Sequence, residues 1–284
     1  MKSPSPGGRD FQQTDERKVR KMFGLKAKRK EVAAAMPQAA KPVAWHRPAP
    51  GVAWLQGMDM LSEAHTLIAG STGSGKSVVL NALVWSAIQR TPDKTRLMFI
   101  DMKMGLEMWK YRTLPHTVAF ADNERDAEMV LDMAINTIEI RGKKMRETGM
   151  VMWDGADLYI IIDELADLLS SCGQSAFQKL IKISRIGRAC KVHLVMATQD
   201  PSKRTIPAQI QQNMTCCLGL GCRDAIQSRQ IIGTSGCELL PPHGEGLLLQ
   251  GRALRRLAIP MIPEADIAAR IAYWSNPANY TYYK

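Results

Sequence analysis

The stretch that decides the fold is HTLIAGSTGSGKSVVLNALV, residues 65–84. Its first part, residues 66–69, is short and apolar, as expected of a buried strand, and residues 78–88 carry apolar side chains at helical spacing. Glycine and small hydroxyl residues fill the connection between them. The stretch therefore predicts a buried strand that turns sharply into a helix.

The turn fits the pattern G-x-x-x-x-G-K-[ST], which is typical of a phosphate-binding loop. Glycine lets backbone N–H groups curl toward one point, and the helix N-terminus adds its positive end, so the turn suits a polyphosphate. We expect Lys76 to reach the β- and γ-phosphates and the Ser77 hydroxyl to hold Mg²⁺. The alternative, a flexible loop that fits by chance, is disfavoured by the flanking strand and helix. The predicted nucleotide-binding residues are Gly70, Ser71, Thr72, Gly73, Ser74, Gly75, Lys76 and Ser77.

A pair of carboxylates, Asp163 and Glu164, follows the apolar run of residues 158–162. Carboxylates at the end of a buried strand cost desolvation free energy unless a cation or hydrogen bonds offset it. Beside a nucleotide, Asp163 is predicted to hold Mg²⁺. Glu164 is predicted to point elsewhere, free to take a proton from attacking water. The alternative is that one carboxylate caps the helix beginning at LADLL.

A third polar strand end is formed by Thr198 and Gln199 in the segment VMATQ. We predict that the Gln199 amide hydrogen-bonds the γ-phosphate or the attacking water. The alternative is a polar strand end that faces solvent.

The positive charge is concentrated at the start of the chain. The 284 residues carry a formal net charge of +11, and residues 1–50 hold 12 Lys/Arg against 4 Asp/Glu, a net of +8. The segment has three possible interpretations: a solvated, disordered leader, an arm that contacts nucleic-acid phosphates, or a basic helix on a membrane surface.

The composition also limits the class of protein. No run approaches the roughly 18 consecutive apolar residues that span a bilayer, and the N-terminus has no hydrophobic signal core. We therefore predict a cytoplasmic protein without a transmembrane segment. The six cysteines include no C-x-x-C pair, which favours reduced, mostly buried thiols over a metal site.

Predicted strands alternate with predicted helices along the chain, which indicates an α/β fold with a mainly parallel central sheet flanked by helices. A strand is expected in TRLMFIDMK, residues 95–103, and a capped long helix through Met145. Another helix is expected over residues 176–191, and a strand pair joined by Gln-Gly-Arg near residue 251. The predicted divisions are a basic, disordered arm at 1–42, an ATPase domain at 43–274 and a tail at 275–284.

Several segments together resemble the motor domain of the FtsK/SpoIIIE family of DNA translocases. They are HTLIAGSTGSGKSVVLNAL, FIDMK, YIIIDELADLL, GRACKVHLVMATQDP and DAIQSRQIIG, in the family's order. The resemblance extends from about residue 52 to residue 272.

This resemblance implies a RecA-like P-loop NTPase that hydrolyses ATP with Mg²⁺. It also implies a homo-oligomeric ring, often hexameric, that threads double-stranded DNA. Family members supply arginines across the subunit boundary, and the matching positions here are Arg188 and Arg229. An arginine there would stabilise charge on the transferring phosphate.

The chain departs from the family pattern at Asp200, where arginine is usual, and at Met102, where proline is usual. We also expect no N-terminal membrane segment and no C-terminal winged-helix reader. We therefore expect a stripped motor of the sort found on conjugative elements, plasmids or phages, with mobile-element or membrane-associated protein partners. The alternatives are a secretion or conjugative coupling ATPase that moves protein or protein–DNA complexes, and a nucleotide-binding adaptor that has lost hydrolysis.

Overall fold

The described part of the chain, residues 52–202, 206 and 208–280 of a computed structural model, is built around a nine-stranded sheet. Across the sheet the strand order is β1-β9-β8-β7-β2-β6-β5-β3-β4, and every strand except β8 runs in the same direction. In chain order the strands are β1 (Ala53–Trp54), β2 (His65–Ala69), β3 (Thr95–Ile100), β4 (Thr117–Ala121), β5 (Asp157–Ile162), β6 (Val192–Thr198), β7 (Cys216–Gly219), β8 (Glu245–Gln250) and β9 (Ala253–Ala258).

Helices cover both faces of this sheet. One face packs against α3, α4, α5 and α6, and the other against α1, α2 and α7. The residues alternate as a pleated strand requires, so that Leu67 belongs to the first core and Ile68 to the second. The helices are α1 (Gly57–Leu61), α2 (Lys76–Ala87), α3 (Glu124–Thr148), α4 (Leu165–Ile186), α5 (Ala208–Gln211), α6 (Ala225–Ile232) and α7 (Glu264–Ser275).

The central strands end close together, and this positions the functional residues. Ala69 of β2 pairs with Thr198 of β6, and Ile162 of β5 pairs with Ile100 of β3. Because neighbouring parallel strands run in register, the residues that follow them emerge at a single edge of the sheet. In open α/β sheets, ligands bind at this edge.

The structure confirms the predicted α/β fold, its mainly parallel sheet and most of the expected elements. The long helix begins after the predicted cap, since Asn123 accepts a hydrogen bond from Asp126 N, and ends at Gly149 in the left-handed region. The strand pair β8–β9 turns at Gly251 as predicted. Cys190, Cys216, Cys217 and Cys237 are buried, as expected of most of the thiols. Among the strands and α-helices of the described residues, the sequence did not predict β1, α1, α5, α6 and α7.

The prediction for the helix after β5 was wrong in its bounds. It was expected over residues 176–191, whereas α4 begins at Leu165 and ends at Ile186. The early start follows from Glu164, which caps the first turn. Gly173, with φ 59° and ψ −139°, breaks α4 in its middle. Its basic residues Lys179 and Lys182 form ion pairs with acidic residues of α3.

The predicted arm at 1–42 lies outside the described residues, and the predicted domain divisions stay predictions. Among the residues that the structure describes, no helix combines the length and the apolar character needed to cross a membrane.

The buried His65 makes the fold sensitive to acid. Its Nδ1 accepts a hydrogen bond from Leu194 N at 3.0 Å, so the ring is neutral. Burial, helped by nearby His193, lowers the pKa of His65 to about 4. Since the unfolded chain keeps a pKa near 6.5, it takes up this proton first as the pH falls. Stability is therefore lost between about pH 6.5 and pH 4.

We predict that His65→Gln makes the free energy of unfolding fall less steeply with decreasing pH. The difference in slope should approach about 1.4 kcal/mol per pH unit, because one proton fewer is linked to unfolding. Urea titrations between pH 7.5 and pH 5 would measure it, with His243→Gln as a control at an exposed histidine. Parallel curves for wild type and His65→Gln would contradict the assignment.

Candidate nucleotide-binding site

The loop between β2 and α2 has the backbone geometry of an anion cradle. Gly73 and Gly75 have φ angles of 77° and 101°, in the left-handed region that glycine adopts at little cost. The N–H groups of Gly73, Gly75 and Lys76 donate to no backbone acceptor within the described residues. Unpaired N–H groups at a helix N-terminus bind anions, so the residues present fit a polyphosphate.

Lys76 places a positive charge inside this loop. Its Nζ donates to the carbonyl oxygens of Gly70 at 2.8 Å and Ser71 at 2.9 Å. Burial lowers the pKa of Lys76 to about 8, and the nearby Lys103 lowers it further while Glu164 opposes the fall. Ser74 Oγ is buried without a hydrogen-bond partner in the described part of the chain, which leaves a further polar group for a ligand.

Asp163 lies at the same edge, directly after β5. It is 5% exposed, and its Oδ2 is 3.7 Å from Lys103 Nζ. Burial raises the pKa of Asp163 to about 6; Asp101 adds to the rise and Lys103 opposes it. A buried carboxylate of this kind is stabilised by a cation. Together with the Ser77 hydroxyl at the start of α2, Asp163 supplies the oxygen ligands that Mg²⁺ prefers.

Glu164 is held in place by hydrogen bonds and caps the following helix, as the alternative for this carboxylate pair predicted, and its role as the base stays a prediction. Its Oε1 accepts from Thr198 Oγ1 at 2.8 Å, from Gln199 N at 3.1 Å and from Ala166 N at 3.4 Å. The reason is that α4 starts at the next residue, so Glu164 becomes its N-cap. Among the described residues, Oε2 accepts a hydrogen bond only from Gln199 N, which also donates to Oε1, and both distances are 3.1 Å. Oε2 can therefore still accept a proton.

Gln199 is brought to the phosphate loop, as its position after β6 predicted. Its Oε1 accepts a hydrogen bond from Thr72 Oγ1 at 2.5 Å. The Gln199 side chain is therefore directed at the loop. The contact of Gln199 with phosphate or water stays a prediction. The unusual Asp200 binds the backbone N–H and the hydroxyl of Ser202, both at 2.9 Å, and so shapes the following turn.

Two residues of the site were not assigned a role by the sequence, although each was recognised at a strand end. Thr198 orients Glu164, and Asp101 organises the loop after β3. Both are fully buried. The sequence signal for both residues is a polar side chain at the end of an apolar strand. The sequence does not show which strand lies next to that strand in the sheet, and so it does not show the partner of the polar side chain.

The two predicted arginines lie in different parts of the fold. Arg188 is exposed in the connection before β6, at the edge where the strands begin. The seven residues of β6, at about 3.3 Å each, separate it from the phosphate edge. Arg229 is exposed on α6 and lines a shallow cavity of about 280 Å³ with Pro201, Ile206 and Ile226. Arg188 therefore does not reach the phosphate loop of its own chain, and the roles of both arginines stay predictions.

A pocket of about 180 Å³ adjoins the loop. Besides the loop glycines it is lined by Val78, His243, Gly244 and Ile259. Its mainly apolar wall and its position next to the anion cradle suit the nucleoside part of a nucleotide. The sequence offered no signal for it, because residues far apart in the chain meet there.

Comparison with known proteins identifies relatives. Residues 40–157 match the family model described as the FtsK/SpoIIIE family. The DNA translocase FtsK of Clostridium acetobutylicum is 32% identical over 244 residues, which covers 80% of this chain and 32% of that protein. The chain spans about a third of the length of the curated relatives it matches.

Solved structures with similar folds include a secretion ATPase and a conjugation coupling protein. The cytoplasmic domain of the Type VII secretion ATPase EccC of Thermomonospora curvata is 25% identical, with a TM-score of 0.61 over 70% of this chain and 25% of that chain. The pCW3 conjugation coupling protein TcpA, solved with ATPγS, is 22% identical, with a TM-score of 0.65 over 72% of this chain and 63% of that chain.

The mostly parallel sheet with a glycine-rich phosphate loop at its carboxyl edge defines the class: the fold is that of a P-loop ATPase. The chain belongs to the FtsK/SpoIIIE family.

We predict that Thr198→Val lowers the free energy of unfolding by about 1.5–3 kcal/mol, the usual loss for a hydrogen bond to a charged group. The change removes the donor to Glu164 while keeping the side-chain shape. Thr198→Ser keeps the hydroxyl and serves as the matched control. Urea denaturation at pH 7 would compare the three proteins. If valine proves as stable as serine here, the Thr198–Glu164 bond contributes nothing.

Proposed function

We propose that this protein is an ATP-driven motor that translocates double-stranded DNA. The observation that carries the proposal is the convergence of the phosphate loop, Asp163, Glu164 and Gln199 at one edge of the sheet. Thr72 and Gln199 are hydrogen-bonded there, and Gln199 N binds Glu164. The family relationship supports DNA as the moved substrate.

Each residue has a defined task in ATP hydrolysis. The loop N–H groups and Lys76 bind the phosphates, while Ser77 and Asp163 hold Mg²⁺, which would neutralise charge on the phosphate oxygens. Glu164 takes the proton of the attacking water at Oε2, the oxygen with a single shared donor. Gln199 orients that water or senses the terminal phosphate through its connection to Thr72.

The β8–β9 hairpin favours DNA as the substrate. Its turn exposes Arg252 to solvent, and its second strand, β9, exposes Arg255. Within the described residues, neither guanidinium lies within ion-pairing distance of a carboxylate, in contrast to Arg256, which pairs with Glu245. Exposed arginines without acidic partners neutralise backbone phosphates. The basic segment at residues 1–50 would add to this affinity.

Hydrolysis is proposed to take place between subunits of a ring, which we expect to be a hexamer. Arg188 lies a strand length away from the phosphate loop of its own chain, so it can serve only the site of a neighbour. Arg229 is exposed on α6 and is equally available to a second copy. Head-to-tail contacts of identical chains close into rings.

A second candidate function is a secretion or coupling ATPase that moves protein or protein–DNA complexes. It is favoured by the similarity in fold and sequence to the secretion ATPase EccC. The two functions differ in what stimulates turnover, which is DNA for the translocase and a protein substrate for the secretion motor.

We predict that linear duplex DNA stimulates ATP turnover.

Lys76→Ala should lower ATP affinity, and Glu164→Gln should bind ATP but not hydrolyse it, because an amide cannot accept the proton. Changing Arg252 and Arg255 together to Ser should raise the DNA concentration needed for half-maximal stimulation. Turnover would be measured with and without DNA on protein sized by light scattering.

Turnover that ignores duplex DNA would refute the translocase proposal and leave the secretion motor. Wild-type turnover by both Lys76→Ala and Glu164→Gln would refute the ATPase site itself.

We also predict complementation between two inactive variants. A mixture of Arg229→Ala and Lys76→Ala chains should regain part of the ATPase activity, because some interfaces then combine an intact phosphate loop with an intact arginine. Turnover of the wild type should rise more steeply than linearly with protein concentration. Strictly linear turnover by a monomer would exclude an arginine supplied in trans.

A further inference from the structure

Lys103 lies in a loop whose shape is fixed by a buried carboxylate. Asp101 is fully buried, and its oxygens accept hydrogen bonds from the N–H groups of Lys103 at 3.1 Å, Glu107 at 3.0 Å and Met108 at 3.1 Å. A carboxylate that binds three backbone N–H groups holds the chain in one conformation. The backbone of Lys103 is therefore positioned beside the nucleotide site.

The ammonium group of Lys103 lies near the nucleotide-binding site but is not fixed there by a short hydrogen bond. Its Nζ is 3.7 Å from Asp163 Oδ2, longer than the 2.7–2.9 Å typical of a charge-assisted hydrogen bond. The side chain is 40% exposed. Within the part of the chain that the structure describes, Nζ has no hydrogen-bond acceptor and is ion-paired only with Asp163. Its donors are thus available to an anion.

The Asp163 carboxylate cannot bind Mg²⁺ and the Lys103 ammonium group equally strongly. In the proposed function, Asp163 and Ser77 hold Mg²⁺. A divalent cation there repels the Lys103 ammonium and satisfies the carboxylate. Because Asp163 and Ser77 would hold the Mg²⁺ that accompanies a polyphosphate, the terminal phosphate would lie on the Asp163 side of the loop.

We propose that Lys103 is a second phosphate-binding lysine, which contacts the terminal phosphate of a bound nucleoside triphosphate. This inference rests on the proposed ATPase function and adds a residue that distinguishes triphosphate from diphosphate. Lys76 binds both nucleotides, because it lies inside the loop. Lys103 binds only the nucleotide whose chain reaches toward Asp163.

The test is the affinity of the full chain for ATPγS and for ADP, each with Mg²⁺, measured by calorimetric titration. Lys103→Met keeps the apolar stem and removes the charge. It should weaken ATPγS binding about 10- to 100-fold, the usual effect of losing a hydrogen bond between charged groups, and change ADP binding by less than about twofold. Lys103→Arg should restore most of the preference for ATPγS.

Lys110→Met is the matched control. Lys110 lies seven positions further along the chain, but its Nζ pairs with Glu264 of α7 at 3.1 Å, so both affinities should stay at wild-type values. Equal losses of ATPγS and ADP affinity in Lys103→Met, or no loss, would overturn the inference. Wild-type protein that binds neither nucleotide would instead overturn the proposed function, and the inference with it.

Discussion

The carboxylate of Glu164 connects the segments on which the site depends. It is 4% exposed, and a charge so deeply buried needs several hydrogen-bond donors. The donors come from the first turn of α4 and from the end of β6. Because Gln199 also accepts a hydrogen bond from Thr72, the same chain of contacts reaches the phosphate loop. A change at any one of these segments alters the position of the other two.

Electrostatic balance explains why so many charged groups can share one edge of the sheet. Lys76 and Lys103 lie near the carboxylates of Asp163 and Glu164, and Asp101 accepts hydrogen bonds from backbone N–H groups. The negative charge of Asp163 is not fully compensated by these cations. Burial, the largest cause, raises its pKa in spite of the nearby Lys103. A site in this state favours the arrival of both a cation and an anion, which Mg²⁺ and a polyphosphate provide.

The sequence predicted the phosphate loop, the acidic strand end and the mainly parallel sheet, because each rests on a local pattern of apolar and small residues. It could not predict the contacts between strand ends. The neighbours of β6 in the sheet are β2 and β5, and no local pattern determines that order. The roles of Thr198 and Asp101 therefore became visible only in three dimensions. The short elements β1 and α1 have too few residues for a periodic pattern.

The break of α4 at Gly173 has a mechanical meaning. It separates a two-turn piece, which begins after the cap Glu164, from a longer piece that is ion-paired with α3 through Lys179 and Lys182. A continuous helix would act as a stiff rod and carry any displacement of its first turn to its far end. A glycine joint absorbs that displacement in two backbone dihedral angles. A displacement of the first turn beside Glu164 would therefore end at Gly173 and would not reach the part of α4 that is ion-paired with α3.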